Sequence, residues 1–215
     1  MTEASPRGDT GPDPAAEVLL ALAVCGPLAA ARAADAIGST EASVAEQIEG
    51  LLAAGRVART AAEGDLISLT EAGREAAAEV VRREGAALGA QLAAVHGGFA
   101  ALDRALKEAI TRWQVRTVGG VEVPNDHRDR AHDGAVLADI GDLGERAVAW
   151  LEPLARRRSR YRRYRDRLAA ALARIAAGEV GWIAGLGVDS LHTIWWQLHG
   201  DLLAILGRTR ASSEA

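Results

Sequence analysis

The chain has 215 residues, which is enough for one large domain or two small ones with hydrophobic cores. Hydrophobic residues make up 49% of it and aromatic residues only 4%, so alanine and leucine carry most of the apolar content and favour helices. The single cysteine, Cys25, excludes a framework of internal disulfides and fits a reducing cytosol. The chain shows neither a signal-peptide pattern nor an apolar run of about 18 residues, which predicts a cytoplasmic protein without a membrane partner.

The net charge of −4 hides an asymmetry along the chain. Residues 13–95 hold six arginines against twelve acidic residues, a charge of −6, whereas residues 96–215 hold eighteen basic residues against fifteen acidic ones, a charge of +3. Residues 1–13 are polar and rich in proline, glycine and aspartate, without periodicity, which predicts a disordered tail. The two halves are therefore expected to differ in the charged surfaces that they bind.

Residues 14–95 predict three helices, a hairpin and a fourth helix. A first helix ends at Gly26-Pro27, a second starts with Pro27 in its first turn and ends at Gly38, and a third starts after a Thr40 cap. The apolar stripe of the third helix comprises Val44, Ile48, Leu51 and Leu52. The segments RVART and LISLT predict two strands with a turn at Gly64, and Thr70 predicts the cap of a long fourth helix.

This order of elements is that of a winged helix-turn-helix. The segments AADAIGSTEASVAEQIEGLLAAGRVART and LISLTEAGREAA resemble the MarR-type winged-helix family over about residues 15–82. The resemblance implies that the helix from about Thr40 lies in the DNA major groove and that residues 60–66 form the wing. The expected DNA contacts are Arg32, Ser39, Thr40, Ala42, Ser43, Glu46, Arg56 and Arg59.

The charges leave a second interpretation open. No lysine or arginine lies between Thr40 and Ala54, and the predicted wing tip AAEGD has none either. DNA affinity depends mainly on neutralising phosphates, and bases are read mainly by Arg, Lys, Asn and Gln. The alternative is a winged helix that contacts a protein or dimerises without binding DNA.

The rest of the chain, residues 98–210, predicts a helical domain of four or five helices. Gly97 and Gly98 in HGGF are expected to end the preceding helix and mark the domain boundary. TVGGVEVPNDHRDR is expected to be a loop, a later helix is expected to be interrupted by glycines 141 and 144, and Pro153 is expected to bend or restart it. The sequence thus predicts a mainly α fold, with short strands confined to residues 56–69.

Eight arginines fall within residues 156–167, interleaved with Tyr161 and Tyr164. Such a run is typical of sites that bind nucleic acid or another anion. The two tyrosines continue as one apolar helix stripe with Leu168, Leu172 and Ile175, which leaves the arginines on the other faces. Ion pairs with the acidic first half of the chain, in cis or across a dimer, are the competing interpretation.

Near the end of the chain, DSLHTIWWQLHGDLL places two histidines seven residues apart. On an ideal helix they share a face but lie roughly 10.5 Å apart along the axis, so they do not ligate one metal ion. The stretch predicts a core-facing helix with Asp189 as its N-cap. A ligand pocket is predicted to be lined by Trp113, His127, Asp129, His192, Trp196 and His199. The competing interpretations are a structural polar network and a polar loop with helix-capping aspartates.

A second resemblance involves the segments WQ (113–114), NDH (125–127) and DSLHTIWWQLHGDLLAILGRTR. Over about residues 98–210 they are similar to a helical region that accompanies pyruvate, phosphate dikinase-like proteins. The phosphotransfer histidine motif of those enzymes is not present, so the resemblance implies an accessory role. No nucleophile elbow, phosphate loop or dinucleotide fingerprint occurs, so no enzyme activity, cofactor or metal is expected.

The sequence as a whole predicts a transcriptional regulator. Its C-terminal helical domain is expected to sense a small-molecule effector or to form a homodimer. The alternative function is an accessory protein that does not bind DNA and that partners a phosphoenolpyruvate-utilising enzyme.

Overall fold

The computed structural model describes residues 13–60 and 65–207, except for the side chains of residues 89–91 and 93–97. Residues 1–12 of the expected tail and residues 61–64 of the expected wing lie outside these residues. The helices are α1 (Pro14–Cys25), α2 (Ala30–Ile37), α3 (Glu41–Ala53), α4 (Glu71–Gln114), α5 (Arg130–Ala155), α6 (Ser159–Ala176), α7 (Gly181–Ala184) and α8 (Leu191–Ile205). The strands are β1 (Val57–Thr60), β2 (Leu66–Leu69), β3 (Val115–Val118) and β4 (Val121–Pro124). The mainly helical fold that the composition predicts is confirmed.

The described residues fall into two compact units. The first unit comprises those within Met1–Gly89, Arg156–Arg163 and Gly200–Ala215, and the second comprises those within Ala90–Ala155 and Tyr164–His199. Helices α4, α6 and α8 therefore contribute residues to both units. The predicted domains follow chain order, whereas these units draw on separate stretches of the chain.

The first unit is built on α1, α2, α3 and the β1–β2 hairpin, in the order that the sequence predicts. Thr40 accepts a hydrogen bond from the Ser43 N–H at the start of α3, and Gly38 ends α2 in the left-handed conformation that glycine adopts without strain. The hairpin is antiparallel, with Val57 opposite Leu69. The core of this unit includes Val18, Leu19, Leu22, Ala33, Ile37, Val44, Ile48, Leu51, Val57 and Ile67.

The start predicted for α2 is wrong. The helix begins at Ala30, because Leu28 exchanges two backbone hydrogen bonds with Ile67 of β2, at 3.1 Å and 2.8 Å. Pro27 therefore lies in the connection between α1 and α2. Because this pairing with β2 holds the chain extended at Leu28, the helix begins only at Ala30.

The helix interruptions predicted at glycines in the rest of the chain are also wrong. Helix α4 continues through Gly97 and Gly98, and α5 continues through Gly141, Gly144 and Pro153. A glycine inside a helix costs only about 1 kcal/mol, which packing readily offsets. A Cβ built on Gly144 lies 2.3 Å from Leu172 Cδ2, so this glycine allows α5 and α6 to approach closely.

The expected loop after α4 contains a second hairpin. Strands β3 and β4 pair antiparallel, with Val118 opposite Val121 around the turn Gly119-Gly120. Both glycines have positive φ, as a two-residue hairpin turn requires. The prediction that strands are confined to residues 56–69 is therefore wrong. The sequence did contain a signal for the second hairpin, since β-branched residues flank a glycine pair.

Candidate functional site

Helix α3 presents an acidic face to solvent. Val44, Ile48 and Leu51 are buried, as the stripe predicts. The exposed positions of α3 are Glu41, Ala42, Ala45, Glu46, Glu49, Gly50 and Ala53. These exposed positions hold three carboxylates and no cation, so α3 itself contributes only negative charge to this face.

Arg59, on the neighbouring strand β1, is held by two carboxylates. Its guanidinium lies 2.6 Å from Glu49 Oε1 and 3.1 Å from Asp65 Oδ2. The hydrogen bond that Arg59 donates to Glu49, followed by those that it donates to Asp65, raises the pKa of Arg59, which stays charged. The positive charge expected to meet DNA phosphate is thus already balanced within the protein.

The other expected DNA contacts lie in α2, in α3 and in the residues on either side of α3. Arg32 is exposed and lies 3.8 Å from Asp35, and the side chain of Arg56 is also exposed. Ser39 and Thr40 precede α3, where Thr40 is its cap. The grouping of Ala42, Ser43 and Glu46 on one helix therefore agrees with the prediction, but contact with DNA stays a prediction.

An open groove of about 670 Å³ in the first unit was not predicted from the sequence. Its lining includes Leu22 of α1, Leu69 of β2 and Val81 of α4, with Arg74 and Arg82 among its polar members. These residues are distant in sequence and share no motif. Only their convergence in the fold reveals a mainly apolar surface of this size.

The arginine run at residues 156–167, most of which lies on α6, is extensively ion-paired. In the first unit, Arg158 Nε lies 3.2 Å from Glu84 and Arg163 Nη2 lies 3.1 Å from Glu17. In the second unit, Arg165 binds Glu152 at 2.7 Å, and Arg167 Nε donates to Asp189 Oδ2 at 2.7 Å. Pairing with the acidic first half of the chain in cis is therefore confirmed for Arg158 and Arg163.

Asp189 is consequently not the N-cap of α8, and that prediction is wrong. Ser190 takes this position, since its hydroxyl accepts a hydrogen bond from the Thr193 N–H at 3.3 Å. Asp189 is occupied by the Arg167 guanidinium, which also donates to Gln197 at 2.7 Å. Both Asp189 oxygens accept charge-assisted hydrogen bonds from Arg167, so neither is available to the first turn of α8.

The two histidines of α8 have different surroundings. His199 is buried, its ring lies 5.0 Å from that of Phe99, and its Nδ1 lies 3.5 Å from Asp103 Oδ1. Trp195 donates to the same Asp103 oxygen at 2.8 Å. His192 is exposed. Of the two predicted pocket histidines of α8, only His199 is therefore buried, and the carboxylate beside it comes from α4.

The loop before α5 forms a polar network of its own. His127 packs against Trp113, with ring centroids 4.4 Å apart, and its Nδ1 lies 3.1 Å from Asp133 Oδ2. Asp129 caps α5 by accepting from the His132 N–H at 3.0 Å and also binds Arg116 at 2.9 Å. The interpretation of this stretch as a polar loop with helix-capping aspartates is confirmed for Asp129.

The six predicted pocket residues therefore have several different environments. Trp113 and His127 are in contact, Asp129 faces Arg116, and His199 lies beside Phe99. His192 and Trp196 are both on the exposed side of α8, with Trp196 46% exposed. A single pocket lined by all six stays a prediction.

We expect the two α8 histidines to differ sharply in their effect on stability. His199→Ala removes a buried ring from an aromatic cluster and leaves Asp103 without its imidazole neighbour, so the free energy of unfolding should fall by about 2–4 kcal/mol. His192→Ala should change it by less than about 0.5 kcal/mol because the side chain is exposed. Urea denaturation followed by circular dichroism checks both values. Equal losses for the two variants would contradict the difference in burial.

No group of three or more His, Cys, Asp or Glu side chains among the described residues is arranged to hold a metal ion. None of the described helices combines the length and apolar character needed to cross a bilayer. Comparison of the chain with protein-family models, with curated proteins and with solved structures finds no significant match in any of the three.

Proposed function

We propose that α1–α4 and the β1–β2 hairpin form a winged helix-turn-helix module that binds a protein partner rather than DNA. The observation that carries this proposal is the acidic face of α3, beside which Glu49 and Asp65 hold the charge of Arg59. The partner surface that fits this face is rich in lysine and arginine.

The electrostatic argument follows from how proteins bind duplex DNA. Affinity comes mainly from lysine and arginine neutralising phosphates, with counterion release. Glu41, Glu46 and Glu49 place three negative charges on the helix that would enter the major groove. Like charges across an interface cost several kcal/mol and slow association. The same carboxylates favour a basic protein surface and guide its approach.

The groove supplies the apolar area that a protein interface needs. Interfaces combine a buried apolar centre with a polar rim. The groove walls around Leu22, Leu69 and Val81 belong to the same unit as α3. The resemblance of residues 98–210 to a region accompanying phosphoenolpyruvate-utilising enzymes makes such an enzyme the first partner to test.

A DNA-binding transcriptional regulator with a ligand-sensing or dimerising helical domain is the second candidate. It is favoured by the order of three helices, a hairpin and a helix, and by the Thr40 cap at the start of α3. This arrangement is typical of proteins that insert the third helix into the major groove.

An electrophoretic mobility-shift experiment separates the two candidates. We expect no shift of the duplex upstream of the protein's own gene, or of a random duplex, even at about 50 mM salt, because the acidic face repels phosphate. The triple variant Glu41→Lys, Glu46→Lys, Glu49→Lys should acquire binding that weakens steeply as salt rises. A specific shift of the upstream duplex by the wild-type chain would establish the regulator instead.

Zero-length carbodiimide cross-linking tests the proposal that α3 binds a protein partner. This reagent joins carboxylates to nearby lysines, so cross-links between the partner and residues Glu41, Glu46 or Glu49 are expected in cell extract. Glu46→Lys should lower the yield of cross-linked partner at least about threefold, a modest loss for a charge reversal at an interface. The matched control is Glu145→Lys, the same charge change at an exposed position of α5. A partner retained equally by both variants would contradict binding through α3.

A further inference from the structure

His127 is held in one orientation by its surroundings. Its backbone has a positive φ of 56°, which is uncommon for a residue with a side chain. The backbone N–H of His127 donates to Asn125 Oδ1 at 3.2 Å, and the centroid of its ring lies 4.4 Å from that of the Trp113 ring. Residues held in such conformations occur preferentially at functional sites.

The hydrogen bonds around His127 indicate which ring nitrogen carries the proton. Asn125 Nδ2 has two protons, and it donates them to the Trp113 carbonyl at 3.1 Å and to Asp133 Oδ1 at 2.8 Å. Neither proton is then left for His127 Nδ1, which lies 3.2 Å from the same nitrogen. Nδ1 of His127, 3.1 Å from Asp133 Oδ2, is thus assigned as the donor to that oxygen. In the neutral ring the lone pair is then on Nε2.

Asp133 is well suited to position this imidazole. It is nearly buried, and the hydrogen bond from Asn125 lowers its pKa despite the opposing effect of burial, with a further contribution from His127. The carboxylate therefore stays ionised at neutral pH. An ionised acid at Nδ1 orients the ring and stabilises the positive charge that develops when Nε2 forms a bond.

We propose that His127 Nε2 is a nucleophile that accepts an acyl or phosphoryl group from a mixed carboxylic–phosphoric anhydride. The side chain is 44% exposed, so an electrophile from solvent reaches it. The Nε2 lone pair forms the new bond to phosphorus or to the carbonyl carbon. The bridging bond from that atom to oxygen breaks, and carboxylate or phosphate leaves with the electron pair. Nδ1 keeps its proton, and the ring cation is paired with Asp133.

The chain contains its own control for this reactivity. His192 is also exposed, and no ion pair or hydrogen bond joins its ring to a carboxylate among the described residues. Exposure alone would make the two histidines react alike. A faster reaction at His127 therefore reports the positioning by Asp133 and Asn125.

The test is incubation of the full chain with acetyl phosphate at pH 8, above the ordinary imidazole pKa of about 6.5. Peptide mass spectrometry without acid treatment maps the products, and their masses distinguish acetyl from phosphoryl transfer. We expect His127 to react about tenfold faster than His192, the size of effect that a hydrogen-bonded carboxylate has on a metal-ligating histidine that it orients. His127→Gln should remove that product and leave the His192 product unchanged.

Asp133→Asn is the decisive variant, with circular dichroism as the check on its fold. It should bring the His127 rate down to the His192 rate while His192 stays the same. Equal rates at the two histidines in the wild-type chain, or reaction at neither, would overturn the proposal whether or not this variant folds. If the reaction rates at His127 and His192 both fell by the same factor in Asp133→Asn, the proposal would be overturned as well.

Discussion

Arg160→Met should lower the free energy of unfolding by about 3–5 kcal/mol at pH 8, the largest loss expected from a charge substitution in this chain. Arg160 is 7% exposed, and its Nε lies 2.8 Å from Asp201 Oδ2. Asp201 is 1% exposed. Removing the arginine leaves this carboxylate buried without its counter-ion, which is far more costly than losing an exposed pair. Denaturant unfolding followed by circular dichroism measures the loss.

The surroundings of the pair explain the size of this effect. Glu84 of α4 lies 3.7 Å from Arg160 and 3.2 Å from Arg158, and Tyr161 is completely buried beside the Arg160 guanidinium. The Asp201 carboxylate oxygens and Arg160 Nε and Nη1 do not meet hydrogen-bond geometry with any described group. Electrostatic attraction at close range thus holds these ions together, rather than a complete set of hydrogen bonds.

The loss of stability in Arg160→Met should become smaller as the pH falls, because Asp201 becomes protonated. Burial raises the pKa of this carboxyl group above its unfolded value of about 3.9, despite the opposing attraction of Arg160. Its protonation therefore favours the folded state, a contribution that is fully present below the unfolded pKa and lost as pH rises through the folded pKa. Without Arg160 the folded pKa is higher still, so the deficit at pH 5 should be smaller than at pH 8.

The control is the double variant Arg160→Met, Asp201→Leu. Replacing both ions by apolar side chains removes the buried charge, so its stability should return to within about 2 kcal/mol of the wild type and vary less with pH. A double variant no more stable than Arg160→Met would show that packing, rather than charge, is responsible.

Gly73→Ala should be the most damaging single-methyl substitution in the first unit. A Cβ at this position lies 1.8 Å from the Arg56 backbone carbonyl oxygen. That oxygen is fixed by a hydrogen bond from the Thr70 N–H at 3.0 Å, so it does not move aside freely. Overpacking of this kind costs about 1–3 kcal/mol, and here the contact with backbone places the expected loss at the upper end.

Gly141→Ala, in the interior of α5, is the matched control. Nothing lies within 4 Å of a Cβ at Gly141, so only the helix preference of alanine acts there. The variant should gain up to about 1 kcal/mol of stability. Opposite shifts of the thermal midpoint for the two glycine variants would support the packing argument. Two losses of similar size would contradict it.

Local chemistry in the sequence determined the elements of the first unit. Thr40 and Thr70 each accept a hydrogen bond from the N–H three residues later, so the starts of α3 and α4 are readable from sequence. The stripe of Val44, Ile48 and Leu51 identifies the buried face of α3. These features act within one turn of a helix, where sequence neighbours are also spatial neighbours.

The sequence also predicted that the arginines of α6 are available for pairing, because the tyrosine stripe leaves them on the other faces of the helix. Arg160 is paired but also buried, which the stripe did not predict. The sequence did not determine the partners of these arginines. Glu17, Glu84 and Asp201 come from three other helices, between 41 and 146 residues away along the chain. Ion pairs at such separation exist only after the helices have packed.

The histidines show the same division. The carboxylate beside His127 is six residues away and belongs to the segment that the sequence singled out. The carboxylate near His199 is Asp103 of α4, which no spacing rule connects with α8. Likewise, glycine propensity predicts a break in α4 at Gly98, but a Cβ there would lie 3.5 Å from Trp150 and the helix continues. A helix propensity of about 1 kcal/mol determines where a helix ends only if no tertiary contact outweighs it. In the second unit, tertiary contacts determined where the helices continue.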